Sequence, residues 1–507
     1  MDDEGEAIYV VDMQDQTVGG GDVIVMEPLI TSSSSGHAKD EEQKSPEVHV
    51  VKSLIEEKLD KVRSWSSDYT IYRVPNTLVN EKPEAYIPHM ISIGPFHHDQ
   101  QHLHHTEARK IRYFQKFLNR ESGAVLLSDY IKAVKYWEEL AYLCYPDVKI
   151  DQRDSFFMMM VVDGCFILEL LFWDDENHDT VSDAKWSYLV SQDLIMLENQ
   201  LPIFVLEALY KVFKGDSSQE QYASQLYALI CKYFVPRILR MLVGKEDAVN
   251  YSSPDHIQSL CSVDRPKHLL DFVRQFLIPS HHHHYHCPVD KPKHYSSVPS
   301  AACGHSWLCG LCLEDDPLEK EEDIGVVHIR CVKELEKASV KFEKNKNPTS
   351  LSDIKFDMKK GVLTIPGIII DHGTELILRN LVAYEQYIDD HSYITEYAAF
   401  MDGLIDSSED VELLQDNGII VTMLGDPSEV ARLFNNLLKD VTVPICDTIT
   451  VRRKLEQYYN IRCHKWMSSL MRNYFNTPWS FISVVAAVIL LVLTVAQTIY
   501  AVLAYHY

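Results

Sequence analysis

The feature that most constrains this sequence lies at its carboxyl end. Residues 480–504 read SFISVVAAVILLVLTVAQTIYAVLA and contain no charged side chain. A bilayer core about 30 Å thick is crossed by about 20 helical residues, so this run predicts a transmembrane helix over residues 479–505. Trp479 before the run and Tyr505 after it are typical of the two headgroup regions, where an aromatic ring keeps one edge in water.

The charges beside this run predict which side of the membrane holds the rest of the chain. Only His506 follows the run as a residue that can carry positive charge, whereas six basic residues precede it: Arg452, Arg453, Lys454, Arg462, Lys465 and Arg472. Positively charged flanks stay on the cytosolic side of a membrane. We therefore expect a single-pass, tail-anchored protein with a cytosolic body, in a plasma membrane or an endomembrane.

Three polar residues interrupt the apolar run. Thr494, Gln497 and Thr498 share one face of a helix, because residues three and four apart are neighbours on a helix surface. These side chains suit hydrogen bonds to a neighbouring helix. Polar residues that simply approach the far membrane interface are an equally good interpretation.

The overall charge excludes one class of partner. The chain has 48 Lys and Arg against 74 Asp and Glu, a net charge of −26 at pH 7. Nucleic-acid binding relies on Lys and Arg to displace counterions from phosphates, so we expect no nucleic-acid partner. The eleven cysteines are odd in number and mostly scattered, which is typical of a reducing compartment.

A second apolar run, residues 156–173, contains Asp163 and Glu169. A carboxylate at the centre of a bilayer costs roughly 2.5–3.5 kcal/mol on insertion scales, so a buried helix of a globular body is the better interpretation. Buried charges require partners, and we expect both acids to be paired or hydrogen-bonded.

The remaining chain divides into two parts, and the second contains an insert. Residues 1–48 are acidic, without sustained periodicity, and are predicted to be a disordered tail. Residues 49–475 form a helical body, interrupted at 279–325 by a variable insert rich in His, Cys and acidic residues. Helical spacing predicts helices at 51–62, 106–120, 126–146, 154–173, 184–213, 220–242, 266–277, 374–389, 391–405, 408–415, 426–439 and 447–474.

One segment favours β structure. Ile354, Phe356 and Met358 alternate with polar residues, a turn follows at 360–361, and 362–370 is apolar and β-branched. The predicted fold class is therefore mainly α: a helical globular body with a small β-hairpin or sheet, plus one C-terminal transmembrane helix.

The insert contains the candidate metal ligands Cys303, His305, Cys309 and Cys312. Thiolates and imidazoles can close a tetrahedral zinc site, and one Cys-x2-Cys pair has suitable spacing. A second pair at a standard distance is missing from the sequence, so a variable loop with incidental cysteines is preferred. We expect no metal and no cofactor.

The sequence carries no recognised catalytic motif. Cys165 lies in the most apolar helix and is interpreted as a core residue. Asp193 and Glu198, five residues apart, would not share a helix face, so capping and polar core contacts are favoured. The alternative is an enzyme of unrecognised type with a polar pocket around His97, His98, Asp163 and Glu198.

Several ordered motifs together resemble a plant family known as domain-of-unknown-function 247. The motifs lie at residues 71–75, 86–98, 107–113, 160–170, 193–202, 269–274, 380–386 and 472–479. Phe96 stands where this family usually has Tyr, and Asp99 where Gly is common. The acidic tail and the insert inherit nothing from the resemblance.

The resemblance implies a mostly helical, membrane-associated plant protein without established enzymatic activity. Some grass members are pollen-side determinants of self-incompatibility, thought to recognise small secreted stigma proteins. We therefore expect a non-enzymatic, membrane-anchored recognition or signalling protein that contacts the membrane through residues 480–504. Its expected partner is a protein or peptide, either a small secreted cysteine-containing protein or a paralogue. Metal binding through the insert is a further alternative.

Overall fold

The computed structural model describes residues 70–120, 125–146, 148, 153–175, 181–215, 219–239, 265–278, 329–348, 350–388, 391–444, 448–461 and 478–506, all within one compact unit, Trp65–Tyr507. The predicted tail at 1–48, the predicted helix at 51–62 and the insert at 279–325 lie outside these residues.

The described chain is mainly helical, as predicted. Its helices are α1 (Asn76–Glu81), α2 (His104–Arg120), α3 (Leu127–Lys135), α4 (Glu138–Leu143), α5 (Arg153–Asp175), α6 (Val181–Asp193), α7 (Ile203–Lys214), α8 (Gln219–Phe234), α9 (Leu269–Leu277), α10 (Val332–Lys337), α11 (Thr374–Glu385), α12 (Tyr393–Leu404), α13 (Ser408–Asp416), α14 (Pro427–Leu437), α15 (Ile449–Asn460) and α16 (Pro478–His506). Short 3-10 turns at Pro83–Ala85 and Gln101–Leu103 flank the loop before α2, and a π-helical turn, Val235–Leu239, extends α8.

Helix α5 lies at the centre of the core and packs against α2, α3, α7 and α8. Apart from its ends and two carboxylates, it is apolar on all sides, which is typical of a helix enclosed by others. Among the described residues, one helix is long and apolar enough to cross a membrane by length and composition, Arg153–Phe172, and 78% of its apolar window is buried. This burial agrees with the predicted core helix.

The two carboxylates of α5 are paired with basic residues of α2. Asp163 lies 2.8 Å from the Lys110 ammonium group. Glu169 accepts hydrogen bonds from Arg120, one of them over 3.1 Å from Nη2 to Oε1. The expectation that both acids would have partners is confirmed, and each pair ties α5 to α2.

The predicted hairpin is present as strands β2 (Lys355–Asp357) and β3 (Val362–Pro366), which pair antiparallel. A third strand, β1 (Lys341–Asn345), pairs parallel with β3 and was not predicted. Strands β4 (Ile368–Ile370) and β5 (Ile420–Thr422) form a separate parallel pair. The buried side chains of the first sheet include Phe342, Phe356, Leu363 and Ile365.

The single helix predicted over 184–213 was wrong. The chain leaves helix α6 at Asp193 and begins α7 only at Ile203. Pro202 immediately precedes α7, and proline disfavours the α conformation in the residue before it. The intervening residues 194–202 are buried, so this break is an ordered part of the core.

Helix α16 extends over 29 residues at the carboxyl end, where a membrane helix was predicted. Its described apolar stretch is Ala486–Ala501. Leu490 and Leu491 are 64% and 66% exposed, and the large side chains around them are similarly uncovered. The helix thus presents apolar side chains that no other described residue covers.

Candidate functional site

The loop of residues 86–98 lies between the two 3-10 turns and enters the core. Pro88, Gly94 and Pro95 prevent a regular helix or strand, so the backbone N–H groups lack the partners that secondary structure would supply. Buried N–H groups require acceptors. Asp163 of α5, together with Asp193 and Asn199, supplies acceptors to the loop, and neighbouring Glu198 accepts the N–H of Val74. We call these four side chains the acceptor cluster.

Asp193, the last residue of α6, accepts three consecutive backbone N–H groups. His89 donates to Oδ1 over 3.0 Å, while Met90 and Ile91 donate to Oδ2 over 2.6 and 2.8 Å. Burial raises the pKa of Asp193 to about 6, against the opposing effect of these three donors. One carboxylate therefore fixes the first half of the loop.

Asn199 hydrogen-bonds to the backbone of the loop next to the part held by Asp193. Its Oδ1 accepts the N–H of Ile93 over 2.7 Å, and its Nδ2 donates to the carbonyl oxygens of Ile91 and Asp193, each over 3.0 Å. An amide suits this position because it offers both an acceptor and donors. Asn199 thus joins the loop to the end of α6.

Asp163 holds the glycine of the loop. Its Oδ2 accepts the Gly94 N–H over 2.9 Å, and its Oδ1 lies 2.8 Å from Lys110 Nζ. Lys110 also donates to the carbonyl oxygen of Ser92 over 2.7 Å. Burial lowers the pKa of Lys110, but Asp163 and Glu107 outweigh burial and raise it above its ordinary value. Burial raises the pKa of Asp163, against the pull of Lys110.

Glu198 is the member of the cluster that lies next to a half-exposed residue, Arg73. Its Oε1 accepts the Val74 N–H over 2.8 Å, and its Oε2 lies 3.4 Å from Nη1 of half-exposed Arg73. The Arg73 guanidinium lies over the Phe96 ring, 4.0 Å from its centroid. Burial raises the pKa of Glu198, although the Val74 N–H and Arg73 act in the opposite direction.

His97 faces this carboxylate from the loop. Its Nε2 lies 3.5 Å from Glu198 Oε2, and within the described residues this nitrogen has no hydrogen-bond partner. The amide nitrogen of Gln100 lies 2.8 Å from Nδ1 and can only donate, which leaves the proton of the neutral ring on Nε2. Burial, with Arg73 and His102 nearby, lowers the pKa of His97 to about 4.

The four residues of the enzymatic alternative are only partly brought together. His97 and Glu198 are neighbours, whereas Asp163 is engaged by Lys110 and Gly94. His98 is directed to Asp99, with 3.5 Å between its Nε2 and Oδ1. The polar core contacts predicted for Asp193 and Glu198 are present.

Residues that the sequence did not single out complete the framework. Buried Arg274 and Glu385 pair over 2.9 Å, and Glu385 also accepts the Thr395 N–H over 2.8 Å. His268 caps α9, because its Nδ1 accepts the Asp271 N–H over 3.2 Å. Arg274, Asp271 and Glu385 fall inside the motifs that carried the family resemblance. Membership of those motifs was the only feature of the sequence that indicated them.

The candidate metal ligands Cys303, His305, Cys309 and Cys312 lie outside the described residues. Among the residues that the structure does describe, no group of three or more His, Cys, Asp or Glu could hold a metal ion. Cys165 is fully buried in α5, and burial raises the pKa of its thiol far above the ordinary range. Such a thiol is a core residue and not a nucleophile.

The fold and the acceptor cluster define a mainly helical protein in which buried polar side chains hold a loop in place. The chain belongs to the domain-of-unknown-function 247 family, described as "Plant protein of unknown function", which matches residues 71–493. The resemblance found in the sequence motifs is thereby confirmed.

Two Arabidopsis thaliana proteins are similar over most of their length. UPF0481 protein At3g47200 is 29% identical over 447 residues, which cover 86% of each chain. Putative UPF0481 protein At3g02645 is 26% identical over 529 residues, covering 92% of this chain and 96% of its own. No solved structure matches the chain.

Proposed function

We propose that this protein is a non-enzymatic recognition or signalling protein, anchored in a membrane by α16. The observation that carries the proposal is the exposure of the apolar side chains of α16, such as Leu490 and Leu491. Apolar area removed from water stabilises by roughly 25 cal/mol per Å², so a long uncovered apolar helix favours an apolar environment. A bilayer supplies that environment, and the uncharged run at 480–504 is long enough to cross it.

The non-enzymatic part of the proposal is supported by how the motif residues are engaged. Asp193 and Asn199 bond loop backbone, and Asp163 is paired with buried Lys110. These contacts account for the polar motif residues as parts of the fold. A general base works best with a pKa near the working pH, and a pKa of about 4 for His97 is poorly suited to neutral conditions.

The proposed partner is a protein or peptide that binds to surface loops. We propose that the variable insert at 279–325 takes part in this binding. The finer proposal, a pollen-side self-incompatibility determinant that binds a small secreted cysteine-containing protein or a paralogue, rests on the family resemblance. That finer role requires the body to meet a secreted ligand, whereas the basic flank before α16 favours a cytosolic body. An imported or indirectly sensed ligand would reconcile the two.

Anchoring is tested by alkaline carbonate extraction of membranes from plant cells that express the full chain. We expect the full chain to stay in the membrane pellet and a chain that ends at residue 477 to be soluble. Val492→Arg, at the centre of the run, should weaken retention, because Arg there costs roughly 2.5–3.5 kcal/mol on insertion scales. Tyr505→Arg, beyond the run, is the matched control. Carbonate release of the full chain would overturn the proposal.

A second candidate function, an acid–base enzyme, is favoured by one observation, the 3.5 Å approach of His97 Nε2 to Glu198 Oε2. Screening the full chain against ester, phosphate and glycoside substrates tests it. We expect no turnover above that of the Glu198→Gln variant. Turnover that Glu198→Gln abolishes while the melting temperature is kept would establish the enzyme instead.

A further inference from the structure

The chemistry of α16 differs between its two sides. At about 100° per residue, Ala487, Leu490, Thr494, Gln497 and Ala501 fall on one face. The opposite face consists of bulky β-branched side chains: Val488, Val492, Val495 and Ile499. Small residues on one face of a membrane helix allow a second helix to approach closely. The polar residues of the helix lie on that same side.

Two of these polar side chains already have partners within the helix. Thr494 Oγ1 donates to the carbonyl oxygen of Leu490 over 2.7 Å, and Thr498 Oγ1 donates to that of Thr494 over 2.8 Å. The Gln497 amide has no hydrogen bond within the described part of the chain. Gln497 therefore carries the donors and the acceptor that still require a partner.

Gln497 cannot satisfy its amide with water if the helix crosses a bilayer. The uncharged run is centred on residue 492, and five residues at about 1.5 Å each place Gln497 about 7.5 Å from the midplane. The hydrocarbon region extends about 15 Å on each side of that plane, so the amide lies within it. An amide without a partner is costly there, whereas an amide partner at the same depth supplies a donor and an acceptor together.

We infer that α16 is a self-association surface whose partner is a second copy of this chain. Two copies inserted in the same direction place their Gln497 residues at the same depth, so a two-fold pair brings each amide opposite its own copy. Each side chain can then donate to and accept from the other. This inference rests on the proposed membrane anchoring and adds to it the oligomeric partner and the contact face.

The test uses the full chain in membranes, with single cysteines introduced into α16 and thiol oxidation followed by non-reducing electrophoresis. Ala501→Cys lies on the contact face and should give a cross-linked dimer. Ile499→Cys, on the opposite face, is the matched control and should give no more dimer than the unsubstituted chain. Adding Gln497→Leu to Ala501→Cys should weaken self-association by roughly 5- to 30-fold, the range that corresponds to one interhelical amide contact.

Carbonate extraction of the same samples separates this inference from the anchoring on which it rests. Retained chains that cross-link equally at both positions, or that are unaffected by Gln497→Leu, would overturn self-association and leave anchoring intact. Release of the chains by carbonate would overturn both. Gln497→Leu should be retained at least as well as the parent, because the substitution makes the helix more apolar.

Discussion

The Lys110 ammonium group lies 2.8 Å from an oxygen of Asp163, and both side chains are only 2% exposed. This pair joins α2 to α5 and, through the Gly94 N–H on the other Asp163 oxygen, to the loop of residues 86–98. We therefore expect its disruption to affect the whole body. Removal of one member leaves a buried charge without compensation, which costs far more than the intact pair contributes.

Lys110→Met tests that expectation. The variant leaves the Asp163 carboxylate unpaired in the core and should lower the free energy of unfolding by roughly 3–5 kcal/mol, measured by denaturant titration. The control is Lys132→Met, which removes an exposed partner of Asp129 and should leave the denaturation midpoint nearly unchanged. Equal losses of stability in the two variants would contradict the claim that burial makes the Lys110–Asp163 pair more important for stability than an exposed pair.

Asp193→Ala should release the loop from α6. Of its three donors, the Ile91 N–H is fully buried, and a buried donor without an acceptor costs roughly 1–3 kcal/mol. Hydrogen exchange should accelerate at His89, Met90 and Ile91 together. Asp129→Ala, where an exposed carboxylate accepts the N–H of Leu126, should affect exchange only locally. Unchanged protection at Ile91 in Asp193→Ala would refute the role of the acceptor cluster.

His268 should make the stability of the body depend on pH. The ring is fully buried, its Nε2 donates to the Thr70 carbonyl oxygen, and burial lowers its pKa from 6.5 to about 4. Below pH 6.5 His268 is protonated in the unfolded chain but stays neutral in the folded chain. The free energy of unfolding therefore decreases as the pH falls from 6.5 towards 4. The pKa difference of His268 between the unfolded and the folded chain corresponds to roughly 3 kcal/mol of folding stability.

The comparison that isolates this effect is His268→Asn, since Asn can still cap α9 without titrating. Unfolding at pH 7 and pH 4.5 should show a smaller loss of stability in the variant than in the parent. Asp193, whose raised pKa of about 6 favours the folded state at lower pH, acts in the opposite direction and is common to both proteins. The same pH dependence in both would exclude His268 as its source.

Gly94→Ala should be much more destabilising than Gly418→Ala. Both glycines have positive φ, +71° and +68°, so both variants incur the strain of a left-handed backbone, about 1–2 kcal/mol. At Gly94 the new Cβ would also lie 2.6 Å from the Gln200 carbonyl oxygen, whereas nothing lies within 4 Å at Gly418. Steric conflict should add roughly 1–3 kcal/mol at Gly94. Equal melting temperatures would contradict this close approach.

The helical fold could be predicted because periodicity and burial are local properties of a sequence. The apolar run at 156–173, with its two acids, indicated a buried helix, but not that Lys110 and Arg120 of α2 would pair with those acids. These partners lie about 50 residues away and are brought near by packing alone. The break at 194–202 was not predicted because its apolar residues are spaced as in a helix. In the structure, Asp193 and Asn199 hydrogen-bond to the backbone of the 86–98 loop, and the helix is interrupted there.

The unpredicted strand β1 has a similar explanation. Its sequence, KFEKN, presents one buried side chain, Phe342, between charged neighbours, and this pattern alone does not indicate a strand. It forms because β3 offers an edge in parallel register, with Phe342 opposite Leu363. The roles of the acceptor cluster could not be predicted either, because the N–H groups it binds, those of the 86–98 loop and of Val74, are distant in sequence.

The most direct test of the central claim is protease protection of the body in sealed membranes from the native tissue. We predict that added protease digests the body without detergent, that a short fragment containing residues 480–504 stays in the membrane, and that Asn250, in the sequon Asn-Tyr-Ser, is not glycosylated. A body that resists protease until detergent is added, or that carries a glycan on Asn250, would contradict the cytosolic orientation. A body recovered intact in the soluble fraction would contradict membrane anchoring itself.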